Sequence, residues 1–216
     1  LLLALDATTY RASVAVFRDW SLIAERDVEM RGAEKERLMP AVDAVLHAAR
    51  VSSAELTGLV CAGGPGSFTS LRIAASIAKG MATALSLPLL AVPSLALIAA
   101  GYGDTRPSRL VASLDALRGE RYVAAVDQRS DGMVIAVGDL QRVGAADCER
   151  IARELGGPLV GPDVDPPTVP HARALGRTRA VMAVVDLDGW EPTYGRLAEA
   201  QVKWERAHGR PLSSAS

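Results

Sequence analysis

The sequence is poor in the side chains that most enzymes use for chemistry. Among its 216 residues are 3 histidines and 2 cysteines. His47, His171 and His208 are scattered, none at i, i+3 or i+4 from another. A zinc site needs a cluster of His or Cys ligands. A histidine-rich metal centre is therefore excluded, and no metal ligand set is assigned. Cys61 and Cys148 cannot build a disulfide framework, and no C-x-x-C occurs. Cys61 lies in an apolar run and reads as a buried small residue rather than a nucleophile. Aromatic residues make up only 4%, so the core must be built from Ala, Val, Leu and Ile. Of the 24 basic residues only Lys35, Lys79 and Lys203 are lysines. That bias, with the abundant alanine, reads as genome composition more than as an arginine-rich surface. The net charge of −1 argues against tight nucleic-acid binding by this chain itself. No apolar run reaches the roughly 20 residues that span a bilayer. Residues 1–5 are too short for a signal h-region and lack a basic flank, so cytoplasm is the expected compartment.

What is present points to a folded α/β protein. Apolar residues reach 49% and charged residues 23%, which argues against disorder. The length suits one domain or two small lobes. Apolar runs predict strands over 2–5, 13–17 and 21–28, closing an antiparallel meander. Leu38, Val42, Val45, Leu46 and Ala49 recur at helical spacing and predict an amphipathic helix over 34–50, with Pro40 in its tolerant first turns. A strand over 56–62, a helix over 68–85 capped by Ser67, a strand over 89–92 and a short helix over 94–100 follow. This β-β-β-α-β-α-β-α order is that of a ribonuclease-H-like unit. The pattern then restarts. Strands are expected over 110–114, 122–127 and 133–137, a helix over 145–155 and a short strand over 158–160. A Pro-rich loop covers 161–170, with helices over 171–185 and 196–207. A first lobe over 1–103, a smaller degenerate lobe over 104–208 and a tail over 209–216 are the expected organisation.

Gly63-Gly64-Pro65-Gly66-Ser67 joins a strand to a helix. Its glycines permit a tight turn, and the helix N-terminus presents unpaired N–H groups. The loop matches neither a Walker loop nor a dinucleotide fingerprint. Locally it is either a structural turn built on Gly64, Pro65, Gly66 and Ser67 or an anion site. The helix after it has an apolar stripe at Leu71, Ala74, Ala75, Ala78, Ala82 and Leu85. Its other face carries Arg72, Ser76, Lys79 and Thr83, with Gly80 beside them. Small residues allow another helix to approach closely, and marginal basic residues can pair with a partner's acids; an ordinary solvated face is the other reading. The preceding helix offers a similar face through Arg37, Pro40, Ala41, Ala44 and Ala48. Asp6, Thr8 and Thr9 end the first strand, either as a capped turn or as a phosphate turn. Asp115, Arg118 and Gly119 lie in the place of a second phosphate loop, but beside a single glycine and the bulky Leu117.

Together these pieces resemble the bacterial TsaB/YeaZ family, a branch of the actin-like ATPase superfamily related to the TsaD/Kae1 proteins. The matching residues are Leu3-Ala4-Leu5-Asp6-Ala7-Thr8-Thr9, Glu36-Arg37-Leu38-Met39-Pro40, Gly64-Pro65-Gly66-Ser67-Phe68-Thr69-Ser70-Leu71-Arg72-Ile73, Lys79-Gly80, Asp115-Ala116-Leu117-Arg118-Gly119-Glu120 and Glu191-Pro192-Thr193-Tyr194. The resemblance implies a two-lobed actin-like, ribonuclease-H-like α/β fold. It also implies a scaffold subunit that binds and activates a TsaD-type transferase, with a TsaE-type ATPase in the same assembly, for threonylcarbamoyl transfer to the tRNA adenosine beside the anticodon. The expected partner face is Arg37, Ala41, Ala44, Ala48, Arg72, Ser76, Lys79 and Thr83; in isolation the same face would serve a homodimer. tRNA contact is expected to be indirect. ATP or ADP with magnesium is a candidate at an intersubunit site or at a degenerate site of Asp6, Thr8, Thr9, Asp115, Arg118 and Gly119.

The sequence departs from the family pattern in places. Glu34-Lys35 stand where His-Ser is usual, Ser70 and Ala74 replace glycines, and Leu117 replaces a basic residue. The catalytic relative carries a His-x-x-x-His metal motif where Ser94 and Ile98 stand here. A phosphotransferase or ATPase of the sugar-kinase type is the alternative function, and a peptidase a third, for which no convincing triad is visible.

Overall fold

The computed structural model describes residues 1–32, 36–103 and 108–194. In chain order the elements are β1 (Leu2–Asp6), β2 (Arg11–Arg18), β3 (Ser21–Glu29), α1 (Leu38–Ala49), β4 (Gly58–Ala62), α2 (Phe68–Leu85), β5 (Leu89–Val92) and α3 (Ser94–Ala100). There follow β6 (Ser108–Asp115), β7 (Glu120–Gln128), β8 (Val134–Val137), β9 (Gln141–Gly144), α4 (Cys148–Leu155), β10 (Leu159–Val160) and β11 (Ala183–Val184). Short 3-10 turns occupy Ser53–Glu55, Ala145–Asp147, Ala172–Arg177 and Arg179–Val181.

These strands form two sheets. The first has the order β11-β5-β4-β1-β2-β3, and the second runs β10-β6-β7-β8 with β9 also on β7. β1 pairs antiparallel with β2 and parallel with β4, which pairs parallel with β5. The first sheet is covered on both faces. Leu3, Leu5, Val14 and Val16 face α1 and α2, while Ala4, Ala15, Phe17 and Val60 face α3 and the second sheet. That double burial explains why β1 and β4 read as continuous apolar runs rather than alternating ones. α3 lies between the two sheets with all its residues buried. α4 covers the far face of the second sheet through Cys148, Ile151 and Ala152. Among the described residues no helix is long and apolar enough to cross a membrane.

The element order of the first half matches expectation, as do the bounds of α2, β5 and α3. α1 begins later than the periodicity predicts. Residues 34 and 35 lie outside the described residues, and the Glu36 carboxylate accepts the amide N–H groups of Leu38 and Met39. It thereby caps the helix from outside, next to the positive end of the dipole. In the second half, the helix expected over 145–155 begins with a 3-10 turn, and β9 intervenes where no strand is expected. β8 and β9 share one edge of β7 end to end, β8 on residues 126–128 and β9 on residues 120–123.

The helix expected over 171–185 is not formed. Two 3-10 turns and β11 stand there instead. The segment is held by contacts that a continuous helix would break. The Ala172 amide donates to Ser13 Oγ at 2.9 Å, and residues 183–184 pair antiparallel with β5. The closing helix expected over 196–207, the tail and the lobe boundary at 103/104 fall on or beside residues outside the described ones.

Candidate functional site

The end of β1, the loop after β4 and the start of α3 meet in one buried polar junction. Asp6, Thr8 and Ser94 are essentially inaccessible to solvent. Asp6 Oδ1 accepts the Thr8 amide at 3.0 Å and the Thr8 hydroxyl at 2.6 Å. Thr8 Oγ1 lies 2.7 Å from Ser94 Oγ. Because Thr8 gives its single hydroxyl proton to Asp6, Ser94 is the donor in that contact. Among the described residues Asp6 Oδ2 has no partner. Burial pushes the Asp6 carboxyl above the ordinary carboxylate range, and the two Thr8 hydrogen bonds pull it back only in part. Cys61 is also fully buried; burial first, and the nearby Asp6 charge second, push its thiol up. It stays protonated and is no nucleophile.

The Gly63–Ser67 loop is a structural clasp. The Gly63 amide donates to Val92 O at 2.7 Å, and Ser94 N donates to Gly64 O at 2.8 Å. Ser67 N donates to Thr8 O at 2.8 Å, and Thr193 N to Gly63 O at 2.8 Å. The chain passes so close that a Cβ on Gly66 would lie 2.3 Å from Thr8 O, and one on Gly64 2.1 Å from Thr193 O. Gly64 also has φ +87°, which disfavours a side chain. Ser67 stands at the cap position of α2, but its hydroxyl bonds Ser70 Oγ at 3.1 Å rather than a helix amide. These contacts are those of a tight turn docked between β1, α3 and the 193 backbone.

The role of the Glu191–Tyr194 stretch was not readable in the sequence. With Trp190 before it, the stretch packs against α2. The Tyr194 ring packs on Phe68 with centroids 4.5 Å apart, and Lys79 Nζ donates to Trp190 O at 3.0 Å. Arg72 lies over the Phe68 ring at 5.2 Å. The motif Glu191-Pro192-Thr193-Tyr194 marks the segment, but only the fold brings it to Gly63 and α2.

The two helix faces can now be placed. On α2, Arg72, Ser76 and Thr83 are exposed and Lys79 is half-buried on Trp190. On α1, Arg37 and Ala48 are exposed and Ala44 is half-buried. Ala41 is not at the surface. It packs in the core with Leu38, Val42 and Val45, because it follows Leu38 by three residues and Val45 follows it by four.

Between the sheets lies a groove of about 480 Å³, at the carboxyl ends of β4 and β5. Leu95, Val137, Leu140, Val181, Val185 and Trp190 dominate its walls, and among the described residues its lining contains no charged side chain. Asp6 and Thr8 are sealed below the surface, Thr9 is half-buried, and Asp115, Arg118 and Gly119 are exposed on the β6–β7 turn. Leu117 and Arg118 hold positive φ there, at 63° and 57°. None of the six lines the groove. Asp6 thus lies beneath the surface with Oδ1 taken by Thr8, apart from the groove and from the exposed β6–β7 turn.

Comparison with known proteins adds to this geometry. The family model described as TsaD, tRNA N6-adenosine threonylcarbamoyltransferase, matches residues 31–162. The chain is 30% identical to the tRNA threonylcarbamoyladenosine biosynthesis protein TsaB of Bacillus subtilis, over 94% of this chain and 97% of that protein. It is 32% identical to the Escherichia coli protein of the same name, over 61% of this chain and 57% of that one. Among solved structures, YeaZ from Pseudomonas aeruginosa superposes with a TM-score of 0.71 at 26% identity, covering 89% of this chain and 98% of that one.

Proposed function

The chain belongs to the TsaB/YeaZ family, and from that premise we propose that it takes part in tRNA threonylcarbamoyladenosine synthesis as a non-catalytic partner that binds and activates a TsaD-type transferase. The fold is the two-sheet, actin-like and ribonuclease-H-like architecture of that family. One observation carries the non-catalytic part of the reading. α3 begins at Ser94 and includes Ile98, where the catalytic relative bears its histidine pair. Here Ser94 is tied to Thr8 and Gly64, and Ile98 is fully buried between the sheets. That helix is a packing pillar, with no side chain presented for chemistry. Asp6, the clear carboxylate candidate for the phosphotransferase alternative, is fully buried and hydrogen-bonded to Thr8, which supports the scaffold reading over that one.

The partner face on this reading is the exposed part of α1 and α2: Arg37, Ala44, Ala48, Arg72, Ser76 and Thr83. Alanine and serine let a facing helix approach closely, and the arginines supply charge at the margin. Lys79 supports this face from behind through Trp190 O. In isolation two copies bury the same face in a homodimer. A TsaE-type ATPase joins the assembly, tRNA is reached through the transferase, and the location is cytoplasmic. ATP or ADP with magnesium belongs, on this reading, to the intersubunit site rather than to the apolar groove.

The test is co-purification with a TsaD-type transferase, with the modified adenosine assayed as each component is omitted. Arg72→Glu combined with Ser76→Arg is expected to weaken capture by at least about tenfold, since it reverses one charge and fills the close approach. Unchanged capture would overturn the interface. Full modification activity with this chain omitted would overturn the activating role.

A further inference from the structure

A pocket of about 360 Å³ separates the start of α1 from β3, the outer strand of the first sheet. Val28 and Ala41, both buried, give it an apolar floor, and Arg26, Arg37 and Pro40 stand exposed around it. Alternation along β3 puts Arg26 on the face of Ala24 and Val28, which pack toward α1. Glu25 and Asp27 belong to the opposite face. There the Asp27 carboxylate holds Arg11 and His171, and Glu25 holds Arg173. Glu29 also borders the pocket, but its Oε1 accepts the Arg31 amide at 3.0 Å. The Glu36 carboxylate is turned to the Leu38 and Met39 amides at the head of α1. These carboxylates are thus committed elsewhere. Among the described residues neither the Arg26 nor the Arg37 guanidinium has an ion-pair or hydrogen-bond partner.

We propose that this pocket receives one acidic side chain, a Glu or an Asp, from the TsaD-type transferase and holds it between Arg26 and Arg37. The inference rests on the preceding reading, in which the transferase docks on α1 and α2. It adds β3 to that surface and gives the contact its chemistry. A single carboxylate suits the site for three reasons. Each guanidinium offers a planar fork of N–H donors that matches the two oxygens of a carboxylate. The apolar floor accepts the methylene stem of the incoming side chain. A run of phosphates is disfavoured, because Asp27 and Glu29 border the same pocket and the chain carries a net charge of −1. Ala41 gains a role as well. Its small side chain is buried against the core, yet leaves the space between Arg37 and β3 open above it. Arg37 and Pro40 belong both to the pocket and to the exposed side of α1. A helix laid along α1 therefore brings its own flank over the two arginines.

The experiment is titration calorimetry of a TsaD-type transferase into the wild-type chain, Arg26→Ala, Arg37→Ala, their double variant and Arg26→Glu, at low and at physiological salt. Both side chains are exposed, so melting temperatures should stay close to that of the wild type. Each alanine is expected to weaken binding about tenfold, and Arg26→Glu about a hundredfold. Because both arginines grip one carboxylate, the double variant should lose clearly less than the product of the two singles. Raised salt should weaken the wild type more than Arg26→Ala. Wild-type affinity in Arg26→Glu would overturn the pocket; if Arg72→Glu with Ser76→Arg still loses binding, the docking reading stands without it. No binding by the wild-type chain would overturn both. Single losses that multiply in full in the double variant would overturn the shared carboxylate. Binding of tRNA by this chain alone, abolished by Arg26→Glu, would make the pocket a phosphate site and overturn the proposal too.

Discussion

A carboxyl group buried with one oxygen lacking a partner is easier to keep neutral than charged. Asp6 is such a group, with Oδ1 taken by Thr8 and Oδ2 enclosed. Its affinity for a proton is therefore higher in the folded chain than in the unfolded one. In the pH range between its unfolded and folded titrations, the native state holds more protons than the unfolded state, so stability falls as pH rises. The stabilising share is fully present below the unfolded value and is lost as pH climbs through the raised folded one. Asn resembles the protonated form and keeps the acceptor that Thr8 uses. Asp6→Asn is thus expected to raise the melting temperature at neutral and alkaline pH, with the gain shrinking toward acid. Thermal unfolding across a pH series checks this, and a gain that grows toward acid would contradict it. The same residue shows how local chemistry divides between two readings in a sequence. Asp-x-Thr at a strand end suits either a phosphate turn or a capped turn. Burial by α3, set by the whole fold, favours the capped turn.

At the scale of elements, what was legible depended on whether a segment's partners were local. α2 and α3 carry helical periodicity and clear stops, and β1, β4 and β5 are short apolar runs between turn residues. All were readable because their own side chains define which face is buried. β9 is four residues, Gln141–Gly144, with no alternation; it is a strand only because β7 offers a free edge beside it. Residues 171–185 contain enough Ala, Leu and Val to suggest a helix, yet Ser13, Asp27 and β5 claim that backbone from a distance. The exposed side of α2 was legible at Arg72, Ser76 and Thr83 as the side away from its apolar stripe. Exposure on α1 was misjudged at Ala41, where small size suits the core as well as a surface. The Gly63–Ser67 loop was recognised as a turn, but its docking against Thr8 and Thr193 is tertiary. Gly66 provides a direct check of that docking. An alanine there would set Cβ 2.3 Å from Thr8 O, a backbone atom that cannot swing aside. Gly66→Ala is expected to cost about 2–4 kcal/mol, through overpacking and displacement of the Ser67 amide from Thr8 O. For a chain of this size that corresponds to a fall in melting temperature of about 4–16 °C. Gly80→Ala is the control: among the described residues nothing lies within 4 Å of its would-be Cβ, and added helix propensity should leave stability equal or slightly higher.

For the whole molecule, the decisive arrangement is that one apolar core is shared by both sheets. Ala4, Phe17, Val60 and Val92 of the first sheet and Leu110, Tyr122, Ala124 and Val126 of the second meet around Leu95, Leu97 and Ile98 of α3. The crossing at Ala172–Leu175 adds to the same core, and β11 returns the chain to the edge of the first sheet. Two sheets that each needed only their own cover would unfold in separate steps. These cannot, because removing either one exposes the apolar surface of α3 that the other buries. Ile98 lies in that shared layer with no solvent exposure. Ile98→Ala removes three carbons from it and is expected to cost about 2–5 kcal/mol. Since both sheets rest on the same layer, the loss should lower amide protection in β1, β4, β6 and β7 together, and calorimetry should still show one transition with calorimetric and van't Hoff enthalpies in agreement. Ile151→Ala is the contrast, because Ile151 packs with Val111 and Val123 on the far face of the second sheet. Global unfolding would feel that loss as well, but any additional weakening through partial opening should appear in β6, β7 and α4 alone. If Ile98→Ala instead split the transition in two, the shared core would not be what couples the sheets, and the crossing with its His171 and Ser13 contacts would have to do so.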